Sequence, residues 1–520
     1  MTFVLDGAHL TCEQVDRAAH GSGIALGSTA RAQAAWRMAG LLNGPVYGRT
    51  TGVGANKDVE TEDTGLDLLR SHAGGAGPTI EAFRARATLV VRLNQLLAGG
   101  SGVDPALLPV LAAAVNLGLT PPIRTYGAIG TGDLTALATT ALCLLGELPW
   151  TRPSDTVRIE APAGDTRNPS TEAETGTETG TETGPQAGAG AGTDTRAGTG
   201  PQARAGTGDT RSWERAEGGP PGTRPGDPVP RFALASVDAL PFISSGAATL
   251  ADAALACHRL GVLLSAATAV AARSFRAIEA SLEPLSPVVQ RGAEQTEVAA
   301  GLRALVGSTS PRRVQDPYGY RAFPQVHGAV LDALGRAERT ITEEMNAAPE
   351  NPLIAGGRAW HNGNFHSARV ALALDALRAA LVQTATLSAA RLATLNDPAN
   401  TGLLPFLAER PGLSGVMILE YVAHSALAEL RHLAAPVTLG GAVLSLGTED
   451  HASFTPQAAR SALAAAEPLE IVLACELVAS VRALRQRGLP CDLPLDPAMR
   501  NRPLDADLDA ARGLLPGLVP

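Results

Sequence analysis

The sequence predicts a mainly α-helical protein organised around a long central bundle of helices. Hydrophobic residues make up 45% of the chain but aromatic residues only 3%, so the core must consist of Ala, Leu and Val, which favour closely packed helices. Four stretches repeat apolar residues at helical spacing with few helix breakers: 246–280, 367–395, 415–435 and 456–488. No alternation of strands and helices is visible, which argues against a Rossmann fold.

Helices of this length lying side by side form a long bundle, and their small, Ala-rich faces allow the axes to approach closely. A bundle this apolar is expected to continue across an interface between subunits. The longest apolar stretches contain Asp252, His258, Arg259 and Arg273, so we interpret them as buried helices rather than membrane spans.

The chain divides into three parts by composition. Residues 1–160 mix short helices with glycine-rich loops and are predicted to form an N-terminal domain that carries the chemistry-bearing turn. Residues 163–229 are a low-complexity run that buries too little apolar surface to offset its ordering entropy. This run is predicted to be a disordered surface insertion, with an interaction tract as the alternative. Residues 230–520 hold the central bundle and a C-terminal helical region.

Charge and cysteine content narrow the class of function. A net charge of −9 and a pI near 5.6 argue against nucleic acid as the main partner. The five cysteines are widely spaced without a C-x-x-C pair, which is typical of a reducing cytosol and offers no structural zinc site. The first residues, MTFVLDGAHLTCEQ, lack the basic, apolar pattern of a signal peptide. We therefore expect a cytoplasmic protein with no nucleic-acid or membrane partner.

A glycine-rich turn precedes an apolar helix in TYGAIGTGDLTALATTALCLLGELPW, residues 125–150. Gly130 and Gly132 permit backbone geometry that other residues resist, and Asp133 suits the start of a helix. Thr131 is therefore presented on a tight turn at a helix N-terminus. Such a turn is either a simple helix entry or a reactive backbone site, and its residues alone leave both readings open.

A second glycine-rich loop, GPVYGRTTGVGANKD at residues 44–58, carries Tyr47. The loop lacks the spacing and the G-K-[ST] ending of a phosphate-binding P-loop. A buried tyrosine near cations or helix N-termini can have a lowered pKa and act as a general base. The alternative is an ordinary loop tyrosine.

Further polar loops stand before the predicted helices. In VQDPYGYRAFPQVHGAV, residues 314–330, Arg321 is suited to clamp a carboxylate through two hydrogen bonds. The segments EEMNAAPENPLI (343–354) and WHNGNFHSARVALA (360–373) are rich in Asn and His, and LGTEDHASF (446–454) carries two acids and a histidine. No H-x-x-x-H or H-E-x-x-H pair is present, so no metal site is expected.

Together these motifs resemble the aromatic amino acid ammonia-lyases, and among them the histidine ammonia-lyase type. The matching stretches follow the family's order along nearly the whole chain apart from the insertion. They are YGRTTGVG, RSHAGGAG, VRLNQLLAGGSGV, YGAIGTGDL, QDPYGYRAFPQV, NAAPENPL, GNFH, GLLPFLA and EDHAS. The resemblance implies a mostly helical homotetramer with a central helical bundle, whose active sites combine loops from more than one subunit.

The resemblance also implies a role for the glycine-rich turn. In the family, an Ala-Ser-Gly tripeptide cyclises and dehydrates into a methylidene-imidazolone (MIO), an electrophile that takes up the substrate amine. Here the turn is one residue shorter, and Gly130, Thr131 and Gly132 align with the tripeptide. Val237 falls where the family has a supporting Asn, and Thr448 where it has Gln. We expect no diffusible cofactor and no standard MIO, with an MIO-like group made from the turn as the alternative.

Most of the family's substrate site is kept. The resemblance assigns Tyr47 as the loop base and Tyr318 as the second catalytic tyrosine. Arg321 would bind the carboxylate, and His72, in the Ser-His form of histidine-type enzymes, would set selectivity. Glu449 would lie near the substrate side chain. The candidate substrate-binding residues are His72, Arg321, Asn346, Gln325, Phe365 and Glu449.

Three functions are compatible with these residues. The first is an amino acid ammonia-lyase with an electrophile derived from the turn. The second is a lyase that works without MIO, using Tyr47 and Tyr318 as acid and base on a substrate with a better leaving group or a more acidic proton. The third is a catalytically silent paralogue that binds a ligand or a true lyase subunit. Retention of both tyrosines and Arg321 favours a carbon–nitrogen lyase acting on an amino acid or a related carboxylate.

Overall fold

The computed structural model describes residues 2–62, 64–152, 229–495 and 502–518. Helices dominate these residues, and the predicted mainly α-helical fold is confirmed. The predicted insertion at 163–229 lies outside the described residues except for its last residue, Val229.

The helices are named in chain order. They are α1 (Cys12–Ala19), α2 (Ala30–Ala39), α3 (Gly65–His72), α4 (Ala82–Ala98), α5 (Leu107–Asn116), α6 (Leu134–Leu145), α7 (Ala239–Ile243), α8 (Ala247–Ile278), α9 (Ala293–Val306), α10 (Tyr318–Arg321), α11 (Phe323–Met345), α12 (Ala368–Asn396), α13 (Pro398–Thr401), α14 (Ile418–Leu433), α15 (Thr455–Ala464), α16 (Ala466–Gln486) and α17 (Asp505–Leu514).

Within the described residues, six short strands pair two by two. They are β1 (Thr2–Leu5) with β2 (Gly23–Leu26) in parallel, and β3 (Ala76–Thr79) with β4 (Arg124–Tyr126) and β5 (Leu353–Ala355) with β6 (Arg358–Trp360) in antiparallel register. The β5–β6 hairpin turns through Gly356 and Gly357, both at positive φ, as a tight two-residue hairpin turn requires.

The central bundle forms around α8, which has 32 residues and is buried along most of its length. Helices α4, α11, α15 and α16 pack against α8, while α12 packs against α11 and α16. The predicted helices at 246–280, 367–395 and 415–435 are confirmed as α8, α12 and α14. Alanines recur on the buried face of α8, and their small side chains let neighbouring helices approach closely.

The predicted single helix at 456–488 is wrong in one respect, because the chain forms α15 and α16 with a break at Ala465. Pro468 lies in the first turn of α16, and a proline has no N–H to bond back to the carbonyl four residues earlier. Helices α4 and α11 also belong to the bundle, although their mixed polar sequences did not single them out.

One continuous hydrophobic core joins the N-terminal residues to the bundle. Two helical stretches, Ser236–Ile278 and Asn364–Asn396, are long and apolar enough to cross a membrane by length and composition alone, but 72% and 50% of their most apolar windows are buried inside the fold. We therefore interpret both as core helices, in agreement with the prediction from Asp252, Arg259 and Arg273 in the first stretch.

Candidate active site

A cavity of about 690 Å³ opens where the N-terminal loops meet the start of the bundle. Its walls come from the loop at 45–58, the C-terminal end of α3, the glycine-rich turn, α7 and the segment at 445–449. Six of the predicted site residues line it: Tyr47, His72, Thr131, Gly132, Phe365 and Glu449.

Tyr47 is held in place at both ends. Its phenol oxygen accepts a hydrogen bond from the Gly54 N–H at 2.8 Å, and its own N–H donates to Nε2 of His361 at 3.3 Å. Burial raises the pKa of Tyr47, and the nearby Glu449 carboxylate raises that pKa further, while the Gly54 N–H and Lys57 oppose the shift. The expected lowered pKa of Tyr47 is therefore wrong, because desolvation outweighs the two favourable contacts.

The turn that carries Thr131 is bonded on both sides. On one side, three successive carbonyls accept hydrogen bonds from the segment at 453–457. The pairs are Ala128 with Gln457 Nε2 at 3.0 Å, Ile129 with Phe454 N at 2.9 Å, and Gly130 with Ser453 Oγ at 3.1 Å. On the other side, the Asp133 N–H donates to the Ser245 carbonyl at 2.7 Å. Gly130 and Gly132 have φ of +95° and +102°, which favours glycine at both positions.

A side chain at position 130 would be crowded in this turn as it is bonded here. An alanine at position 130 would place its Cβ 2.0 Å from Ser453 Oγ and 3.0 Å from the Phe454 N. Gly130 therefore leaves room for the Ser453 hydroxyl that donates to its own carbonyl.

Asp133 ties the turn to the bundle. Its carboxylate accepts from the backbone N–H and the hydroxyl of Thr249, at 2.7 and 2.8 Å, in the first turn of α8. The helix N-terminus favours a negative charge there, but complete burial prevails and raises the pKa of Asp133 to about 6.

We expect this raised pKa to appear in the stability of the protein. An unfolded Asp133 would titrate near its reference value of 3.8 and the folded one near 6, so the folded state retains a proton that the unfolded chain has lost. The contribution of Asp133 to stability is therefore fully present below about pH 4, and about 3 kcal/mol of it is lost as pH rises through about 6. Denaturation of the wild type and Asp133→Asn across this range checks this. Identical pH dependence in both proteins would contradict it.

Val237, which the resemblance aligns with the Asn that supports the MIO group, does not lie beside the glycine-rich turn. Val237 is 46% exposed and its carbonyl accepts from Arg49 Nε at 3.1 Å, so it does not line the cavity. Ser244, seven residues later, lines the cavity together with Thr131 and is buried. Its hydroxyl accepts the Asn351 N–H at 3.0 Å and keeps its own proton for another partner. A polar donor is thus present beside the turn.

The prediction that Asn346 binds substrate is wrong for this cavity, because its side-chain amide is hydrogen-bonded within the fold. Its oxygen accepts from the Leu10 N–H and from Asn94, both at 2.9 Å, and its nitrogen donates to the Leu10 carbonyl at 2.9 Å. These bonds fasten the N-terminal segment to the end of α11. The asparagine of this motif that lines the cavity is Asn351.

Tyr318, Arg321 and Gln325 do not line the cavity of their own chain. Tyr318 is 69% exposed, and the Arg321 guanidinium lies over its ring at 4.3 Å from the centroid. Gln325 is exposed in the first turn of α11. Their placement in a shared site stays a prediction that depends on a neighbouring subunit.

Sequence reasoning missed His361, which follows β6 and lines the cavity beside Tyr47 with ring centroids 6.5 Å apart. The hairpin β5–β6 carries it there, and a histidine in the segment WHNGNFH was the signal available. His72, at the C-terminal end of α3, also lines the cavity, and its Nδ1 donates to the Leu68 carbonyl at 2.9 Å, which leaves Nε2 for a ligand. Among the described residues, no group of three or more His, Cys, Asp or Glu side chains is placed to hold a metal ion.

Comparisons with known proteins identify the family of the chain. The family model described as aromatic amino acid lyase matches residues 10–170 and 228–501. Histidine ammonia-lyase from Geobacillus kaustophilus is 34% identical over 85% of this chain and 80% of its own length. Histidine ammonia-lyase from Anaeromyxobacter dehalogenans is 32% identical over 96% of this chain and 92% of its own.

Solved structures extend the likeness to the fold. Histidine ammonia-lyase from Trypanosoma cruzi superposes with a TM-score of 0.78 at 26% identity, covering 99% of this chain and 94% of that one. The ergothioneine-degrading enzyme ergothionase from Treponema denticola has a TM-score of 0.77 at 21% identity, covering 100% and 99%, and shows the fold alone. The chain belongs to the aromatic amino acid lyase family and is a carbon–nitrogen lyase.

Proposed function

We propose that this lyase eliminates an amine from an amino acid with an imidazole-like or other polar side chain, using Tyr47 as general base and no standard MIO group. The observation that carries the proposal is the convergence of Tyr47, His72 and Glu449 on one cavity around Thr131. The curated relatives named above, both histidine ammonia-lyases, support a small amino acid as the substrate.

Each residue has a part in the proposed reaction. Tyr47, as the phenolate, removes a proton from the carbon next to Cα, the electron pair of that bond forms the carbon–carbon double bond, and the amine leaves with the electrons of the carbon–nitrogen bond. His72 and Glu449 contact the substrate side chain. Arg321, supplied by a neighbouring subunit, pairs with the carboxylate, and its buried Nε has no partner among the described residues.

If Gly130, Thr131 and Gly132 remain an unmodified peptide, the turn offers no electrophile to activate the substrate amine. The β-methyl of Thr131 supports this reading of the turn, because its dehydration would give a more hindered alkene than that of a serine. A substrate whose amine already leaves easily, such as a quaternary ammonium, suits such a site.

The substrate test compares L-histidine with its Nα-trimethylated form, following the absorbance of the conjugated imidazole acrylate that both would yield. We expect the trimethylated form to have the higher kcat/KM, because trimethylamine leaves without prior activation. Turnover of L-histidine alone would contradict the proposal for the leaving group, and turnover of neither would contradict the imidazole side chain.

The state of the turn is tested separately. We expect the purified protein to have its encoded mass, to lack the near-ultraviolet absorbance of a conjugated imidazolone, and to keep its activity after borohydride treatment. Thr131→Ala is expected to differ from the wild type in mass only by the substitution itself. A wild-type protein lighter by two waters, and inactivated by borohydride, would establish an electrophile derived from Thr131 instead.

A further inference from the structure

A fully buried charge network lies behind the turn that carries Tyr318. Glu476 on α16 and Arg391 on α12 are both buried at 0% side-chain exposure, and they pair through two hydrogen bonds of 2.6 and 2.8 Å. The hydroxyls of Ser274 and Ser388 each donate to the Glu476 carboxylate at 2.6 Å. Three bundle helices, α8, α12 and α16, therefore meet at one carboxylate.

The Arg391 guanidinium also contacts the segment that carries Tyr318 and the start of α11. Its Nη1 donates to the carbonyl of Gly319 at 3.0 Å, and its Cζ lies 5.0 Å from the centroid of the Phe323 ring. Backbone and side chain are in close contact here, since a Cβ at Gly319 would come 3.1 Å from Arg391 Cγ. Arg391 thus joins the bundle network to the residue that follows Tyr318.

The helix that receives this bond cannot hold its own shape. Helix α10 has only four residues, and a single isolated turn is unstable without tertiary contacts. Tyr320 anchors its inner side, since it is fully buried with its ring 5.2 Å from Phe275. On the outer side Tyr318 and Arg321 remain stacked on each other, and Tyr318 is largely exposed.

We propose that Arg391 is a positioning residue, which sets the orientation of Tyr318 and Arg321 by holding the Gly319 carbonyl from the buried Glu476 pair. The inference rests on the proposed function, in which Arg321 pairs with the carboxylate of substrate bound to a neighbouring subunit, and it takes Tyr318 as the second catalytic tyrosine of the same site. A buried ion pair is by itself weak evidence for a functional role, because many such pairs only organise a core. The bond to Gly319 distinguishes this pair, since it ends on the backbone between two predicted site residues.

The test uses Arg391→Lys, which keeps the charge opposite Glu476 but cannot bond the carboxylate in two places and the Gly319 carbonyl together. The matched control is Ser274→Ala, which removes a bond to the same carboxylate and leaves the Gly319 contact intact. We expect Arg391→Lys to lower kcat by about 10²-fold with a smaller change in KM, since small misplacements of reacting groups have effects of this order. Hydrogen exchange of the amides at 318–322 should rise in Arg391→Lys only.

A second variant covers the case in which Arg391→Lys does not fold. Gly319→Ala leaves the Arg391–Glu476 pair in place and pushes the turn away from Arg391, so it should also lower kcat and raise exchange at 318–322. Loss of kcat no greater in these variants than in Ser274→Ala would overturn the inference, while a dead Tyr318→Phe would keep the proposed function. A fully active Tyr318→Phe would overturn the inference alone, whereas the proposed function is overturned by normal turnover of Tyr47→Phe.

Discussion

Tyr47→Phe is expected to lower kcat by about 10²–10⁴-fold, the range that removal of a general base commonly produces. The phenol oxygen of Tyr47 lies in the cavity wall and accepts the Gly54 N–H at 2.8 Å, a contact that stabilises the phenolate. Phenylalanine keeps the ring and its packing against the core but cannot take up a proton. The change should therefore appear in kcat, with substrate binding nearly intact.

The pH profile gives a second view of the same residue. Because burial and Glu449 raise the pKa of Tyr47 above its usual value of 10, only a small fraction of the wild type carries the phenolate at neutral pH. We expect kcat/KM to rise with pH through the alkaline range and this limb to disappear in Tyr47→Phe. The control is Tyr421→Phe, an exposed tyrosine on α14 away from the cavity. A Tyr47→Phe enzyme with turnover close to that of the control would contradict the assignment.

Arg92→Met is expected to produce the largest loss of stability, about 3–5 kcal/mol, the range for breaking a buried ion pair from one side. Arg92 on α4 is 1% exposed and donates to Glu350 Oε1 at 2.8 Å, and to the carbonyls of Phe242 and Pro241 at 2.9 and 2.7 Å. Methionine fills much of the volume but leaves a buried carboxylate and two carbonyls without their partner. Burial already raises the pKa of Glu350, and loss of Arg92 would raise it further.

This pair also supports the cavity. The carbonyls that Arg92 binds lie in α7, just before Ser244, and Glu350 directly precedes Asn351. The measurement is denaturant unfolding of Arg92→Met beside Arg70→Met, whose bidentate pair with Glu147 lies on the surface. We expect little change for the surface variant, because water and salt screen such pairs. Equal midpoints for the two variants would show that the buried pair contributes no more than a surface one.

The sequence alone determined the helices of the bundle and the family. Helical spacing located α8, α12 and α14 to within a few residues, because a long helix that buries one or more faces needs apolar residues at each turn. The order of nine short motifs along the chain identified the aromatic amino acid lyase family, and the family model matches residues 10–170 and 228–501. The same motifs brought six residues of the cavity to attention, including Tyr47 and Glu449.

Only the tertiary structure decided which polar side chains face the cavity and how they titrate. Asn346 and Asn351 are five residues apart in one motif, yet the first bonds to Leu10 inside the fold and the second lines the cavity. Ser244, and not Val237, lies beside the glycine-rich turn. The short helix α7 separates the two residues and carries the chain from the surface at Val237 to the cavity at Ser244. Burial raises the pKa of Tyr47, and that burial depends on all the elements packed around its loop. The local sequence around Tyr47 therefore does not predict the direction of the shift.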